Sequence, residues 1–215
     1  MSAHRTARGS EVPRLRQVKP SELVSPRVID TYRQRFGDRD PVEQQAASGA
    51  AAGSWWTVFA LDEALFEHML DRHAWQFSSE RKLPAPLREL ALARTGWVAE
   101  SAFVFAQHCK LLKRLGTAED KIAAIPSWSS RSCWTDIERA VLAYTDGLAG
   151  ARGRLDDATF AAVRAHFTDV EILELTFMVC TYISSATLCR ALRLELDDRG
   201  DPVADAYPGS STETR

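Results

Sequence analysis

Apolar residues recur at helical spacing along most of the chain. Between Trp55 and Phe77 they occupy positions 55, 58, 59, 61, 65, 66, 69 and 70, close to the i, i+3, i+4 repeat of one helix face. The same spacing predicts further helices at about 24–36, 87–99, 102–115, 118–125, 136–148, 156–166 and 169–193. Alternating β-branched runs do not compete with this pattern. The chain is therefore predicted to be all-α, a compact bundle of seven to eight helices.

Three of these helices are predicted to begin at a threonine. Each threonine is followed three residues later by an acid, in the pairs Thr117 and Asp120, Thr135 and Glu138, and Thr168 and Glu171. The hydroxyl can accept a bond from a backbone N–H of the first turn, and the acid can reach back to the cap. Gly116 is a typical end for the helix before Thr117.

The two ends of the chain differ from its middle. Residues 1–20 are basic and interrupted by proline, and the last residues, from Asp197, are rich in Asp, Gly, Ser and Thr. Both ends are predicted to be flexible. We therefore expect an arm at 1–20, a single all-helical domain at 21–198 and a tail at 199–215, with a loop at about 35–48.

Composition and charge exclude several classes of protein. The chain has 215 residues, 45% of them hydrophobic, and a net charge of −2, which gives no overall attraction to nucleic acid or anionic membrane. The absence from the sequence of about 18 consecutive apolar residues argues against a membrane span. The basic N-terminus lacks the apolar run of a secretory signal. We expect a cytoplasmic protein.

The four cysteines do not form a recognisable site. Cys109, Cys133, Cys180 and Cys189 include no Cys-x-x-Cys pair, and their spacing fits neither a zinc site nor a disulfide framework. They are predicted to be small buried apolar residues in a reducing compartment. No metal and no cofactor is expected.

Candidate chemistry lies in two neighbouring helices. Glu89 is an acid in an apolar helix, and His108 follows nineteen residues later in the middle of the next one. Ser101, Val104, Phe105 and His108 fall at i, i+3, i+4 and i+7 and share one face. This face is apolar, so His108 is expected to be partly buried, and Glu89 lies near it if the helices are antiparallel.

A buried carboxylate beside an imidazole can serve as an acid–base pair. Each group shifts the proton affinity of the other, and proton transfer by such a pair is worth about 10²–10⁴-fold in rate. The structural alternative is that Glu89 pairs with Arg94 or a backbone group and that His108 is a satisfied core histidine. Spacing alone favours this alternative.

A family resemblance changes that balance. It is carried by Arg88-Glu89-Leu90, Trp97 and Ala106-Gln107-His108, continues through Ile137–Asp146 and Glu171–Leu192, and covers about residues 50–198. These segments resemble the carboxymuconolactone decarboxylase and alkylhydroperoxidase-D group. In the peroxidase branch the motif is a glutamate, a Cys-x-x-Cys pair and a histidine four residues after the second cysteine. Glu89 and His108 match its outer members.

The two cysteine positions of that motif are occupied by Ser101 and Val104. The resemblance places the peroxidatic thiolate at the position of Val104, so thiol peroxidase activity is not expected. Cys109 lies about 100° round the helix from His108 and is no substitute. Ser101 is predicted to cap the helix, or to hydrogen-bond a substrate there, or both.

Other side chains are candidates for a binding pocket. Aromatic residues at helical spacing belong to cores more often than to pockets, and here they are Trp55, Trp56, Trp75, Phe77 and Trp97. Polar residues of the last helix either line the pocket or bond to backbone carbonyls, and they are Tyr182, Ser184, Ser185 and Thr187. The predicted substrate-binding residues are Ser101, Trp97, Val104, Phe105 and Tyr182. His68 and His73 are poorly spaced as joint metal ligands, and Asp146 is predicted to be structural.

These observations favour a cofactor-independent enzyme in which Glu89 and His108 perform acid–base chemistry. The expected reaction is that of a decarboxylase, lyase, isomerase or cyclase on a small organic acid, lactone or polyketide-like metabolite, by analogy in secondary metabolism. A lyase ranks first because the decarboxylase branch also lacks the cysteine pair. The alternatives are a non-catalytic metabolite-binding or assembly protein and, less favoured, a residual hydroperoxide reductase. The resemblance implies a homo-oligomer, as dimer, trimer or hexamer, with neither nucleic acid nor membrane as partner.

Overall fold

The computed structural model describes residues 13–43 and 54–194, and these residues contain helices and no strand. The α-helices bounded at both ends are α1 (Pro26–Phe36), α2 (Ser54–Phe59), α3 (Glu63–Phe77), α4 (Ala85–Val98), α5 (Ala102–Arg114), α6 (Glu119–Ala124), α7 (Asp136–Ala149), α8 (Asp157–Arg164) and α9 (Asp169–Leu192). Short 3-10 helices cover Pro20–Glu22 and Ile125–Ser130. The all-α prediction is confirmed.

The helix predicted from Trp55 to Phe77 is in fact two helices. Asp62 begins a new one, because its side chain accepts a hydrogen bond from the backbone N–H of Leu65 at 3.0 Å. An aspartate is a strong N-cap, and the continuous apolar periodicity concealed it. With this break, nine α-helices are bounded at both ends within the described residues, against the seven to eight predicted.

Two of the three predicted threonine caps are confirmed. Thr135 and Thr168 each form a complete capping box at the start of α7 and α9. The prediction for Thr117 is wrong, because α6 begins at Glu119 after Ala118. The N–H of Thr117 instead donates to the carbonyl of Leu112 at 3.0 Å, so this residue closes the end of α5.

Helices α4 and α5 form a tightly packed hairpin joined by residues 99–101. Gly96 allows this contact, because a Cβ at that position would lie 2.4 Å from the backbone nitrogen of Phe105. The pairs Gly96–Phe105 and Glu89–His108 run in opposite directions along the two helices. The hairpin is therefore antiparallel and brings the two halves of the predicted site to the same height.

Helix α9 runs through the main hydrophobic core. Its residues Leu175, Met178 and Val179 are buried there with Leu92 of α4 and Val141 of α7. By length and composition α9 could cross a membrane, a test that core helices of water-soluble folds also pass. Here the burial of one face marks it as the core helix.

The described part of the predicted arm, residues 13–20, packs on a second hydrophobic cluster and on the end of α9. Val18 is buried, its N–H donates to the carbonyl of Thr57 at 2.9 Å, and the N–H of Arg14 donates to the carbonyl of Leu192 at 3.0 Å. Of the loop predicted at 35–48, residues 35–36 belong to the end of α1 and 41–43 are helical, so the prediction is wrong there. Residues 1–12, residues 44–48 of that loop and the tail from residue 199 lie outside the described residues. The domain boundaries stay predictions.

Candidate active site

Glu89 and His108 are in direct contact. Glu89 Oε2 lies 2.7 Å from His108 Nδ1, and the two residues are only 1% and 2% exposed. The other carboxylate oxygen, Oε1, accepts a hydrogen bond from Arg88 Nε at 2.7 Å. The alternative pairing of Glu89 with Arg94 is not observed, because Arg94 binds both oxygens of Asp146, at 2.6 and 2.9 Å. The structural role predicted for Asp146 is thus what the structure shows.

The surroundings of Glu89 hold it as a carboxylate. Burial alone would raise its pKa, but the hydrogen bond and charge of His108, together with those of Arg88, outweigh burial and lower the pKa. A carboxylate oxygen accepts, so His108 Nδ1 carries the proton that it donates to Oε2. In the neutral imidazole the lone pair is then on Nε2, the nitrogen left to exchange protons.

A ring of contacts continues from this pair through α3 and α9. Arg88 Nη1 donates to the backbone carbonyl of Gln76 at 3.2 Å, and Gln76 Nε2 donates to the Tyr182 hydroxyl at 3.1 Å. The Tyr182 ring in turn meets the His108 ring edge-on, with centroids 4.5 Å apart. Gln76 was missed from the sequence, where a single amide among charged residues gives no signal. We refer to Glu89, His108, Arg88, Gln76 and Tyr182 as the paired network.

A cavity of about 410 Å³ lies beside the paired network. Its lining comprises Arg35, Trp55, Trp56, Arg72, His73, Phe77, Phe103, Val104, Gln107, His108, Leu111, Tyr182, Ser185 and Cys189. The imidazole of His108 is therefore both bonded to a buried carboxylate and in contact with a space of ligand size. Tyr182 is similarly placed, and burial raises the pKa of its hydroxyl to about 12, so it stays protonated.

The side of the cavity formed by α2 and α3 is cationic and aromatic. Arg72 Nη1 donates to the Ser185 hydroxyl at 3.3 Å, while Arg72 Nε is buried and, within the described part of the chain, has no hydrogen-bond partner. His73 lies beside it, and burial together with the charges of Arg72, His108 and Arg35 lowers its pKa to about 4. Arg72 was missed because a lone arginine on an amphipathic helix is usually solvated.

Three predicted substrate-binding residues lie away from this cavity. Ser101 is the N-cap of α5 and accepts a hydrogen bond from the backbone N–H of Val104 at 3.3 Å, as the capping alternative predicted. Phe105 and Trp97 pack on each other in a separate hydrophobic cluster, with ring centroids 5.5 Å apart. Residues on one helix face can pack against different parts of the protein, as Val104 and Phe105 do. Val104 and Tyr182 do line the cavity.

The aromatic and polar candidates divide in the same way. Trp55, Trp56 and Phe77 line the cavity, whereas Trp75 packs against Phe177 with centroids 5.2 Å apart. In α9, Ser185 lines the cavity, and Thr187 bonds to the carbonyl of Ile183 a turn back at 2.9 Å. Both alternatives given for these sets therefore occur.

The prediction that all four cysteines are buried holds for two of them. Cys109 and Cys189 are buried as expected, but Cys133 and Cys180 are exposed, so the prediction is wrong for these two. Cys189 lines the cavity, a placement that its position in the sequence did not indicate. At the position of the peroxidatic thiolate the cavity wall is formed by the apolar side chain of Val104.

Comparison with known structures identifies the fold. An alkylhydroperoxidase AhpD core, an uncharacterized peroxidase-related protein from Ralstonia eutropha JMP134, superimposes with a TM-score of 0.68 at 16% identity, covering 94% of this chain and 99% of that one. An uncharacterized peroxidase-related protein from Silicibacter sp. TM1040 superimposes with a TM-score of 0.66 at 12% identity, covering 83% of this chain and 91% of that one. A cysteine-to-alanine variant of the debrominase Bmp8, in complex with 2,3,4-tribromopyrrole, gives 0.57 at 13% identity, covering 89% and 94%. At these identities the likeness establishes the fold.

The sequence comparisons point the same way. No curated protein matches the chain. The model of the carboxymuconolactone decarboxylase family matches residues 64–147, a segment that includes Glu89, His108 and the cavity residues of α3. The resemblance inferred from the motif is confirmed: residues 64–147 carry the sequence pattern of the carboxymuconolactone decarboxylase family, on the fold of AhpD-like proteins.

Proposed function

We propose that the protein is an acid–base enzyme in which His108 transfers a proton and Glu89 orients and supports it. The observation that carries this proposal is the 2.7 Å contact between His108 Nδ1 and Glu89 Oε2 on the wall of a cavity of ligand size. A carboxylate on Nδ1 fixes the tautomer and stabilises the imidazolium that forms when Nε2 takes a proton. The pair is thus prepared for repeated proton transfer.

Such a site suits reactions in which a carbanion or enolate is formed and then protonated. His108 Nε2 removes a proton from the substrate or returns one to it, and the Tyr182 hydroxyl is placed to bond to the developing oxyanion. This hydroxyl accepts from Gln76 Nε2, which leaves its own proton to be donated elsewhere. Decarboxylation, elimination, isomerisation and cyclisation of a small organic acid, lactone or polyketide-like molecule all fit. A cytoplasmic role in secondary metabolism is part of the same proposal.

The proposal can be tested without knowing the natural substrate. A panel of small carboxylic acids and lactones is incubated with the protein in deuterium oxide, and deuterium incorporation is followed by NMR. We expect exchange at carbons next to carbonyl groups, slowed about 10²–10⁴-fold by His108→Ala and Glu89→Gln. His166→Ala, at an exposed histidine outside the cavity, is the matched control and should leave exchange unchanged. Full exchange in the His108 and Glu89 variants would refute the proposal.

A second candidate is a metabolite-binding protein without turnover. It is favoured because both carboxylate oxygens of Glu89 already accept hydrogen bonds from neighbouring side chains. Recovery of a tightly bound ligand chemically unchanged, with equal affinity in wild type and His108→Ala, would support it. A dithiol-dependent hydroperoxide reductase remains the least favoured, because Val104 supplies no thiol. Turnover of a hydroperoxide with a dithiol reductant would overturn that ranking.

A homo-oligomer is also proposed, and α9 suggests where the copies meet. Its outer face carries exposed apolar residues at helical spacing, namely Val170, Leu173 and Phe177, with Leu188 about three turns further on. Contiguous exposed apolar surface often marks an interface. Light scattering on the wild type and Leu173→Glu tests this, since the charge should shift the protein toward the monomer. A monomeric wild type would contradict it.

A further inference from the structure

Arg72 is a half-buried cation whose charge is not neutralised by any of the residues that the structure describes. Its one described hydrogen bond goes to a neutral group, the Ser185 hydroxyl, and its Nε is buried without a partner among the described residues. Of the described residues that line the cavity, none is an aspartate or glutamate. Burial accordingly lowers the pKa of Arg72. Buried charges are normally paired, so the missing partner is expected to come from a ligand.

The geometry of the guanidinium indicates the kind of anion. Arg72 lines the cavity, with Nη1 bonded to Ser185 and Nε buried. The planar guanidinium carries several N–H donors in a fork, which suits the two oxygens of a carboxylate. Arg35 adds positive charge to the same lining, stacked 4.2 Å from the Trp56 ring centroid.

The rest of the lining indicates the shape of the ligand. Aromatic rings surround the cavity beside the arginine, namely Trp55, Trp56, Phe77 and Phe103. Trp55 and Trp56 belong to α2, so the break at Asp62 is what allows α2 and α3 to contribute to one wall. Flat aromatic surfaces favour a planar apolar body by stacking and edge contacts. A volume of about 410 Å³ admits a molecule of one or two fused rings.

Helix α9 contacts both Arg72 and His108. Ser185, which binds Arg72, comes three residues after Tyr182, whose ring contacts His108. Three residues of α-helix rise roughly 4.5 Å. The α9 residues that contact Arg72 and His108 are therefore less than one helical turn apart.

We propose that the cavity binds a planar aromatic carboxylate, with the carboxylate on the guanidinium of Arg72 and the ring among the tryptophans and phenylalanines. This identifies Arg72 as the specificity-determining residue for an anionic substrate. The orientation of the far end of the ring toward His108 rests on the proposed function, whereas the binding itself does not.

Calorimetric binding of 2-naphthoate and of 2-naphthamide tests the inference. The two molecules have nearly the same shape, but only the first is an anion. We expect the wild type to bind the acid about 10- to 100-fold more tightly than the amide, as a charge-assisted hydrogen bond implies. Arg72→Met should abolish this preference, and Arg72→Lys, which keeps the charge but lacks the fork, should retain only part of it. Arg33→Met, at an exposed arginine of α1, is the matched control.

Each outcome decides the matter. Equal affinity of the wild type for acid and amide, or no binding of the acid, overturns the inference even if a variant fails to fold. A preference that survives in folded Arg72→Met, checked by near-ultraviolet circular dichroism, also overturns it. The same titration with Glu89→Gln separates the two proposals. A preference that persists there, together with loss of deuterium exchange, supports both, and a preference without any exchange in wild type supports binding alone.

Discussion

On one side of the cavity the guanidinium of Arg88 is bonded to the carboxylate of Glu89, and on the other the guanidinium of Arg72 has no acidic partner among the described residues. Both arginines are partly buried and both contact α3 or lie in it. Arg88 donates to a carboxylate oxygen at 2.7 Å, and that carboxylate also holds His108. Arg72 donates to a serine hydroxyl and keeps a buried Nε unbonded within the described residues. In the first arrangement the cation is neutralised by a carboxylate of the protein, and in the second we propose that an anionic ligand supplies the partner.

This difference separates two duties of an active site. A group that must transfer protons in one tautomer has to be held by partners supplied by the fold, as His108 is by Glu89. A group that selects the ligand must keep its bonding capacity available. Substitutions on the two sides should therefore change the free energy of unfolding by different amounts. A substitution in the paired network should lower it, whereas one at Arg72 should leave it unchanged or raise it.

The largest effect is expected at Glu89. Glu89→Ala leaves Arg88 without its carboxylate and removes the partner of His108 Nδ1, all in a buried setting. Breaking a buried ionic pair on one side lowers the free energy of unfolding by about 3–5 kcal/mol. Urea denaturation of wild type and variant measures it. Glu119→Ala removes an exposed partner of Lys113 and serves as control, with a loss of about 0–1 kcal/mol. Equal losses in the two variants would show that the network adds no stability.

The second effect is a pH dependence of the free energy of unfolding, and it comes from His73 on the Arg72 side of the cavity. His73 has a folded-state pKa of about 4, below the ordinary value of 6.5, because burial and the nearby cations disfavour its charged form. Between these values the unfolded chain binds more protons, so the free energy of unfolding falls as the pH falls from 6.5 to 4. The loss is about 3 kcal/mol at most for this shift, since one pKa unit corresponds to about 1.4 kcal/mol.

His73→Phe should remove this part of the acid sensitivity. The ring is retained among Trp55, Trp56 and Phe77, but the titratable group is lost. Urea denaturation at pH 6.5 and pH 5 isolates the effect from Glu89, whose lowered pKa acts on stability only below its ordinary value of 4.5. An unchanged slope between these two pH values in the variant would assign the acid sensitivity to other groups.

The sequence predicted one side of the cavity far better than the other. Glu89 and His108 belong to helices adjacent in sequence, so periodicity and the motif together place them. The contacts Gln76–Tyr182 and Arg72–Ser185 join residues 106 and 113 positions apart, and helical periodicity carries no information about which distant helix a face meets. For the same reason, periodicity placed Phe105 on the helix face of His108 but could not show that Phe105 and Trp97 pack in a separate hydrophobic cluster.

Tyr182→Phe provides a smaller test of the paired network. It removes the acceptor of Gln76 Nε2 and leaves a buried amide donor unbonded, which lowers the free energy of unfolding by about 1–3 kcal/mol. The double variant Gln76→Met with Tyr182→Phe removes both partners and should be less destabilised than the two single variants predict by addition. Strict additivity would mean that the 3.1 Å contact contributes nothing to stability.

The smallest effect, and the one of opposite sign, is expected at Arg72. Arg72→Met replaces an unneutralised cation by an apolar side chain of similar length, at the loss of one hydrogen bond to Ser185. The free energy of unfolding should be unchanged or raised by up to about 1 kcal/mol, as for other residues whose stability is sacrificed to function. Arg88→Met is the matched substitution. It should lower the free energy of unfolding by about 3–5 kcal/mol, because Glu89 then remains buried with one cationic partner removed. Urea denaturation of both variants in the absence of ligand measures the contrast directly. If Arg72→Met were as destabilising as Arg88→Met, Arg72 would be a structural residue like Arg88. This result would contradict the assignment of Arg72 as the group that binds an anion.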